Sequence, residues 1–300
     1  MGDLKLFALN GPTATEIPGS AVQVEKDLQA LIERNLEPFL GVRYLTTEHN
    51  TGQVHGGRID TLGLDENDSP VIVEYKRSTS ENVINQGLFY LDWLLDHKAD
   101  FKLLTMTKYG EEVANRIDWS SPRVVCIAGD FTRYDEHAVQ QMGRNIELIR
   151  YRRFGDALIA FELVNTPRTV TGGTVSTGGS AQYKTVTEYL ASAPATLRDL
   201  YADLQTYCLA LGDDVQEKVT KYYVAFRRIR NFACVEVHPQ SHELLVFLKV
   251  DPDTVEPEEG FARDVRGVGH YGTGDLELRL RDHEALDRAK PLLETSYESS

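Results

Sequence analysis

The sequence predicts an α/β protein in two parts. A larger N-terminal domain, residues 1–165, has a core that runs helix, three strands, helix, strand; a second, smaller α+β domain takes residues 186–300. Three observations carry this. Apolar residues at helical spacing (Val24, Leu28, Leu31, Ile32, Leu36, Phe39) come before two strand-like runs, Arg58 to Leu64 and Pro70 to Lys76. A second amphipathic stretch, Glu81 to His97, follows those strands. Residues 166–185 are then rich in Gly, Ser and Thr and poor in large apolar side chains, which marks a flexible linker between domains.

Each element follows from local chemistry. Leu4 to Leu9 and Thr13 to Ile17 flank Asn10-Gly11-Pro12, a hairpin signal. Ser20 is placed to cap a helix running to Phe39. On that helix Glu25 falls about 55° from the centre of the apolar stripe and Glu33 about 135° away, so Glu25 is expected inward and Glu33 in water. Val42 to His49 reads as a strand, and Asp65 to Ser69 as the polar turn between the next two. Helical sequence over Asn82 to Leu95 and Ala99 to Ile117 leads to a strand, Val124 to Ala128. Ile146 to Arg153 and Asp156 to Val164 make a further hairpin. Beyond the linker, helical sequence from Val186 to Leu211 is interrupted near Pro194. Strands are expected at Tyr222–Arg228, Phe232–Val237, Leu244–Val250 and Leu276–Arg281, with a closing helix from His283 to Tyr297.

Composition narrows the function classes. The chain has 300 residues, 41% hydrophobic and 26% charged, as expected of folded domains that bury their own cores. Cys126, Cys208 and Cys234 stand far apart in apolar runs and suit neither a disulfide framework nor a zinc site, so a reducing, cytoplasmic setting is expected. No run approaches a membrane span and the first residues do not read as a signal peptide, which argues against membrane and secreted roles. The net charge of −14 opposes tight, indiscriminate binding to duplex nucleic acid. Its layout matters more. Arg144, Arg150, Arg152 and Arg153 form one basic cluster, Lys218, Lys221, Arg227, Arg228 and Arg230 another, and acidic residues gather at Asp251 to Glu259.

The candidate chemistry sits in the central hairpin. Alternation puts Glu74 and Lys76 on one face of their strand and Tyr75 on the other, and pairing of the two strands brings Asp60 beside Glu74. Two adjacent carboxylates repel unless a cation joins them, which invites a hard divalent metal. In the following helix Gln86 and Tyr90 are four apart and share a face. Glu48 and His55 are near enough in sequence to approach the site.

This order, a helix with Glu, a strand with Asp, a strand with Glu-x-Lys and a helix with Gln-x-x-x-Tyr, resembles the PD-(D/E)XK nuclease superfamily, in particular its RecB-like and NucS C-terminal-like branches. The resemblance covers roughly Val22 to Ile127, with Ile59 standing where many relatives have Pro. It implies a restriction-endonuclease-like core and magnesium-dependent cleavage of DNA, with manganese as a substitute, in repair or in defence against foreign DNA. It further implies that Asp60 and Glu74 bind the metal, that Lys76 orients or activates the attacking water, and that Gln86 and Tyr90 line the DNA groove. The Tyr75 carbonyl and Glu25 complete the expected metal ligands. The C-terminal portion is similar to an uncharacterised domain that accompanies NucS-like modules, a likeness that supplies no mechanism. There Arg227 and Arg228 are the candidate contacts to nucleic acid, with His270, and with Tyr271 offering a stacking face. The alternative function is a non-catalytic module on a nuclease fold that binds nucleic acid or, through the C-terminal domain, a protein partner or a second copy of the chain.

Overall fold

The computed structural model describes residues 4–21, 24–52, 56–76, 82–165 and 184–300. The chain is mixed α/β with several sheets and divides into two compact units, Met1–Arg168 and Thr169–Ser300. The segment read as a linker, 166–185, lies outside the described residues except for Lys184 and Thr185.

In the first unit the hairpin β1 (Leu6–Asn10) and β2 (Thr13–Ile17) forms a separate two-stranded sheet. Next come β3 (Gly19–Ser20), α1 (Glu25–Arg34), α2 (Leu36–Leu40), β4 (Val42–Asn50), β5 (Arg58–Asp65) and β6 (Pro70–Lys76). Then α3 (Asn82–Asp96), α4 (Lys98–Tyr109) and α5 (Glu111–Arg116) lead to β7 (Arg123–Ala128), α6 (Arg133–Gln141), β8 (Ile146–Phe154) and β9 (Leu158–Leu163). The sheet runs β3-β8-β7-β6-β5-β4, with β9 also paired to β8. β4, β5 and β6 pair antiparallel, as two-residue-period apolar runs joined by a tight polar turn allow. β6, β7 and β8 pair parallel, and each parallel step needs a crossover, supplied by α3 to α5 and by α6.

α3 packs on one face of this sheet, where Ile72, Val124 and Cys126 meet Val83, Leu91 and Leu94 in the apolar core. The β5–β6 turn is closed by Asp65, whose Oδ1 accepts the N–H groups of Asn67 (2.9 Å) and Ser69 (2.8 Å). Its Oδ2 meets the buried Arg123, which also donates to both carboxylate oxygens of Glu147 at 2.9 and 2.7 Å. The turn end of the hairpin is therefore fastened to β7 and β8 by a buried ion triad.

Several boundaries differ from the sequence reading. Ser20 does not cap a helix. It pairs with Arg153 in β3, and α1 begins after Val24 with no side-chain cap. The single helix expected to Phe39 breaks at Asn35, whose Nδ2 donates back to the Leu31 carbonyl (2.9 Å). The helix expected over Ala99 to Ile117 breaks at Gly110, where φ is +89°. α6 was not anticipated, although Thr132 and Asp135 form a capping box at its start.

The second unit comprises α7 (Val186–Ser192), α8 (Ala195–Ala210), β10 (Gln216–Val219), β11 (Val224–Arg227), β12 (Asn231–His238), β13 (Glu243–Leu248), β14 (Ala262–Asp264), β15 (Leu276–Leu280) and α9 (His283–Glu298). Its six strands form an antiparallel sheet in the order β10-β11-β12-β13-β15-β14. The helices cover one face, with Leu197, Leu204, Val235, Val246, Leu278 and Leu293 in the core. β10 and β14 are short edge strands to which the sequence reading assigns no element. Among the described residues no helix is long and apolar enough to cross a membrane.

Candidate active site

The backbone ladder between β5 and β6 runs from Leu64–Pro70 to Thr61–Val73 and stops there. The next pair in register is Asp60 with Glu74, and at this step side chains replace the ladder. The Asp60 N–H donates to Glu74 Oε1 (3.2 Å), and the Tyr75 N–H donates to Asp60 Oδ2 (3.1 Å). Both strands continue past this point on their outer neighbours, β5 on β4 to Arg58 and β6 on β7 to Lys76. The sheet is thus parted where the two acids meet.

A carboxylate pair in such a place is electrostatically loaded. Glu74 is 1% exposed, and burial first, then the neighbouring Asp60 charge, pushes its carboxyl up to about 9. Burial raises Asp60 as well, while the Tyr75 N–H and the Lys76 charge pull it down. Glu74 is therefore the member that keeps the proton at neutral pH. Lys76 Nζ lies 3.0 Å from Glu25 Oε1, with both side chains partly open to solvent. Glu25, the first residue of α1, so reaches the site through Lys76, and its charge is felt at Asp60. Glu48 also acts on Asp60 and pairs with Arg58 at 3.3 Å. His55 lies outside the described residues.

α3 closes one side. Tyr90 is buried, and its phenol is raised by burial and then by the Glu74 charge. A Cβ on Gly57 would stand 2.7 Å from that hydroxyl, so only glycine lets Tyr90 approach the strand. Gln86 Oε1 is buried with no hydrogen-bond partner among the described residues. Trp93, one turn on from Phe89, is core, and the His49 and His97 rings pack against it at 5.0 and 4.8 Å.

Glu33 departs from expectation. It is half-buried, accepting from Thr61 Oγ1 (2.6 Å) and Gln29 Nε2 (3.1 Å). The apolar stripe alone sets the expected helical phase, but this flank of α1 meets polar groups on the sheet, where a carboxylate finds donors. Sequence reasoning missed Gly57, Thr61, Gln29 and Glu33. The Gly56-Gly57 pair before β5 was the visible sign of a close approach.

The C-terminal candidates are placed elsewhere. Arg227 is 2% exposed and donates from Nη2 to the Ile229 carbonyl (2.7 Å). Arg228 donates to Asp214 (2.7 Å) and lies over the Tyr297 ring, and Arg230 donates to the Ser299 carbonyl. These guanidiniums hold loops and a helix end together within their own unit. Tyr271 stacks on Tyr222 at 4.5 Å, and the His270 ring lies flat on Phe247 at 4.2 Å.

Among the described residues no group of three or more His, Cys, Asp or Glu side chains is arranged to hold a metal ion. The donors at the parted strands are nonetheless oxygens, the carboxyl groups of Asp60 and Glu74, with the main-chain carbonyl of Tyr75 next in the chain. Magnesium keeps much of its water and takes one or two carboxylates, so this set fits a hard divalent cation.

Comparison with known proteins adds the following. Residues 186–300 match a family described as a domain of unknown function, DUF5655. An uncharacterised protein of Haemophilus influenzae is 27% identical over 305 residues, covering 97% of this chain and 98% of that protein. Among solved structures, a repair endonuclease from Pyrococcus abyssi is similar at 19% identity and a TM-score of 0.29, over 44% of this chain and 49% of the other. A complex of EndoMS with double-stranded DNA is similar at 19% identity and a TM-score of 0.26, over 50% of this chain and 49% of the other. The chain spans about half the length of these solved structures.

Proposed function

We propose that the chain is a divalent-cation-dependent nuclease that hydrolyses phosphodiester bonds in DNA, built on a restriction-endonuclease-like core. The observation that supports it is the paired carboxylates of Asp60 and Glu74 at the parted strand ends, with Lys76 acting on both. A buried acid pair that must otherwise hold a proton is a poor structural element and a good cation site.

Asp60, Glu74 and the Tyr75 carbonyl would hold Mg²⁺, or Mn²⁺ in its place. The cation supplies a bound water of lowered pKa and neutralises charge on the scissile phosphate. The remaining work falls to the chain. Lys76, steadied by Glu25, sets an ammonium at the edge of the site, where it orients the attacking water or meets charge developing on the phosphate. Tyr90 shields Glu74 from bulk water on the α3 side. Gln86 carries an unused buried acceptor on the same helix face, suited to a donor arriving with substrate.

The test is an assay of the purified protein with Mn²⁺ on single-stranded, duplex and branched DNA, beside a Mn²⁺ titration. The reading expects cleavage of at least one substrate, and loss of both cleavage and Mn²⁺ binding in Asp60→Ala. A wild type that binds no Mn²⁺, or an Asp60→Ala variant that cuts equally well, would sink it.

A further inference from the structure

The face of the sheet opposite the two carboxylates carries a hydrogen-bond chain that the proposed chemistry does not use. Side chains alternate along a strand, so Thr61 and Tyr75, the sequence neighbours of Asp60 and Glu74, point to the other face. Both are fully buried. Their hydroxyls lie 3.1 Å apart, and Thr61 Oγ1 donates to Glu33 Oε1 on α1 at 2.6 Å. A hydroxyl has one proton, so with that of Thr61 given to Glu33 it is Tyr75 that donates to Thr61. The chain therefore runs Tyr75 to Thr61 to Glu33 and ends on a carboxylate.

Gln29, one turn earlier and 8% exposed, sets the neighbouring residue. Its Nε2 is 3.0 Å from the carbonyl oxygen of Asp60, 3.1 Å from Thr47 Oγ1 and 3.1 Å from Glu33 Oε1. One helix thus holds the main chain of Asp60 and, through Thr61, the Tyr75 hydroxyl on the other strand. It does so at the step where the β5–β6 backbone ladder ends. In the absence of ladder bonds, the distance between Asp60 and Glu74 depends on what else ties the strands.

We infer that Glu33 and Gln29 are positioning residues that fix the separation of the Asp60 and Glu74 carboxylates from the far side of the sheet. The consequence for cation binding rests on the nuclease reading; the consequence for the strands does not. A contact that merely docks α1 on the sheet would lower stability when removed and leave the site alone. A positioning contact acts at the site even when the fold survives, and outer contacts of this kind typically change metal affinity 10- to 100-fold.

The experiment compares wild type, Tyr75→Phe, Glu33→Ala, Glu33→Gln and the double variant Glu33→Ala/Tyr75→Phe. Each is measured metal-free by amide hydrogen exchange and then by Mn²⁺ titration. In metal-free Tyr75→Phe and Glu33→Ala, the amides of Asp60 and Tyr75 should exchange about tenfold faster while those of Leu62 and Ile72 keep the wild-type rate. Mn²⁺ affinity should fall about tenfold in the same two variants. Glu33→Gln, which keeps an acceptor for Thr61, should recover most of the loss. The double variant should be no worse than the worse single one, because both changes cut the same chain. Unchanged exchange at Asp60 and Tyr75, with only the melting temperature lowered, would overturn the inference. A wild type that binds no Mn²⁺ would remove the nuclease reading, and the exchange rates would still decide the role of Glu33.

Discussion

Replacing Glu74 by Gln should make the metal-free protein more stable, although it removes a residue placed at the centre of the site. The Glu74 carboxyl has an ordinary value of 4.5 and is pushed up to about 9 in the fold, by burial and then by Asp60. A carboxyl raised on folding keeps its proton in the native state while the unfolded chain releases it. Stability from this group is therefore full below about pH 4.5 and is lost as pH rises, through the window that ends near 9. Each pH unit in that window costs at most about 1.4 kcal/mol, so the loss by pH 7 is at most about 3.5 kcal/mol. Gln does not titrate, and its amide oxygen can accept from the Asp60 N–H as the Glu74 carboxyl does. We expect Glu74→Gln to be more stable than wild type at pH 7 to 8 in chelator, by an amount that shrinks toward pH 5. With Mn²⁺ the order should invert, because the cation stabilises only the wild type. Urea denaturation at several pH values, with and without Mn²⁺, reads all of this. A variant less stable than wild type at pH 8 in chelator would refute the reasoning, since Glu74 would then carry no titration penalty.

Three further outcomes follow from the same geometry. Mn²⁺ affinity should rise about tenfold per pH unit between pH 6 and 8, because binding expels the Glu74 proton; a flat calorimetric profile would mean that Glu74 is already ionised. Gly57→Ala should cost about 1–3 kcal/mol in urea denaturation, as the new methyl displaces Tyr90 from its place over the strand. Arg123→Met should cost about 3–5 kcal/mol, by leaving Asp65 and Glu147 buried without their cation, and this loss should ease at low pH as the acids protonate.

How much of this was readable in the chain depends on the range of the interactions. The central hairpin is legible because its causes are local: a β-branched run, a turn of Asp, Asn and Ser, and a register that places Asp60 opposite Glu74 by counting. Glu25 is legible as well, since helical phase points it to the side where Lys76 emerges. Glu33 is not, because its partner Thr61 is 28 residues away and phase says nothing of what a helix flank will meet. Ser20 reads as a cap by type but is taken by β8, more than 130 residues on, and long-range strand pairing overrides a local preference. Arg227 fails for the opposite reason. Charge argues for the surface, yet a guanidinium that finds carbonyl acceptors can be buried, and its burial cannot be counted from spacing.

The parted strands give the N-terminal sheet a seam. On one side β4 and β5 are bonded along their length; on the other, β6, β7 and β8 are; the backbone ladder between the two halves runs only from the Asp65 turn to Thr61–Val73, and beyond it side chains make the bonds. The Arg123 triad locks the stitched end, so the open end behaves as the tip of a lever whose arm, from Ser69 to Glu74, is about 17 Å at roughly 3.4 Å per residue. Exchanging a magnesium–oxygen distance of about 2.1 Å for a calcium–oxygen distance of about 2.4 Å asks this lever to tilt by only about 1–2°. Angles of that size lie well within the ordinary spread of sheet twist. On the nuclease reading proposed above, cation radius would therefore be a weak filter at this seam, and choice among divalent ions would fall to hydration and to how firmly α1 clamps the underside.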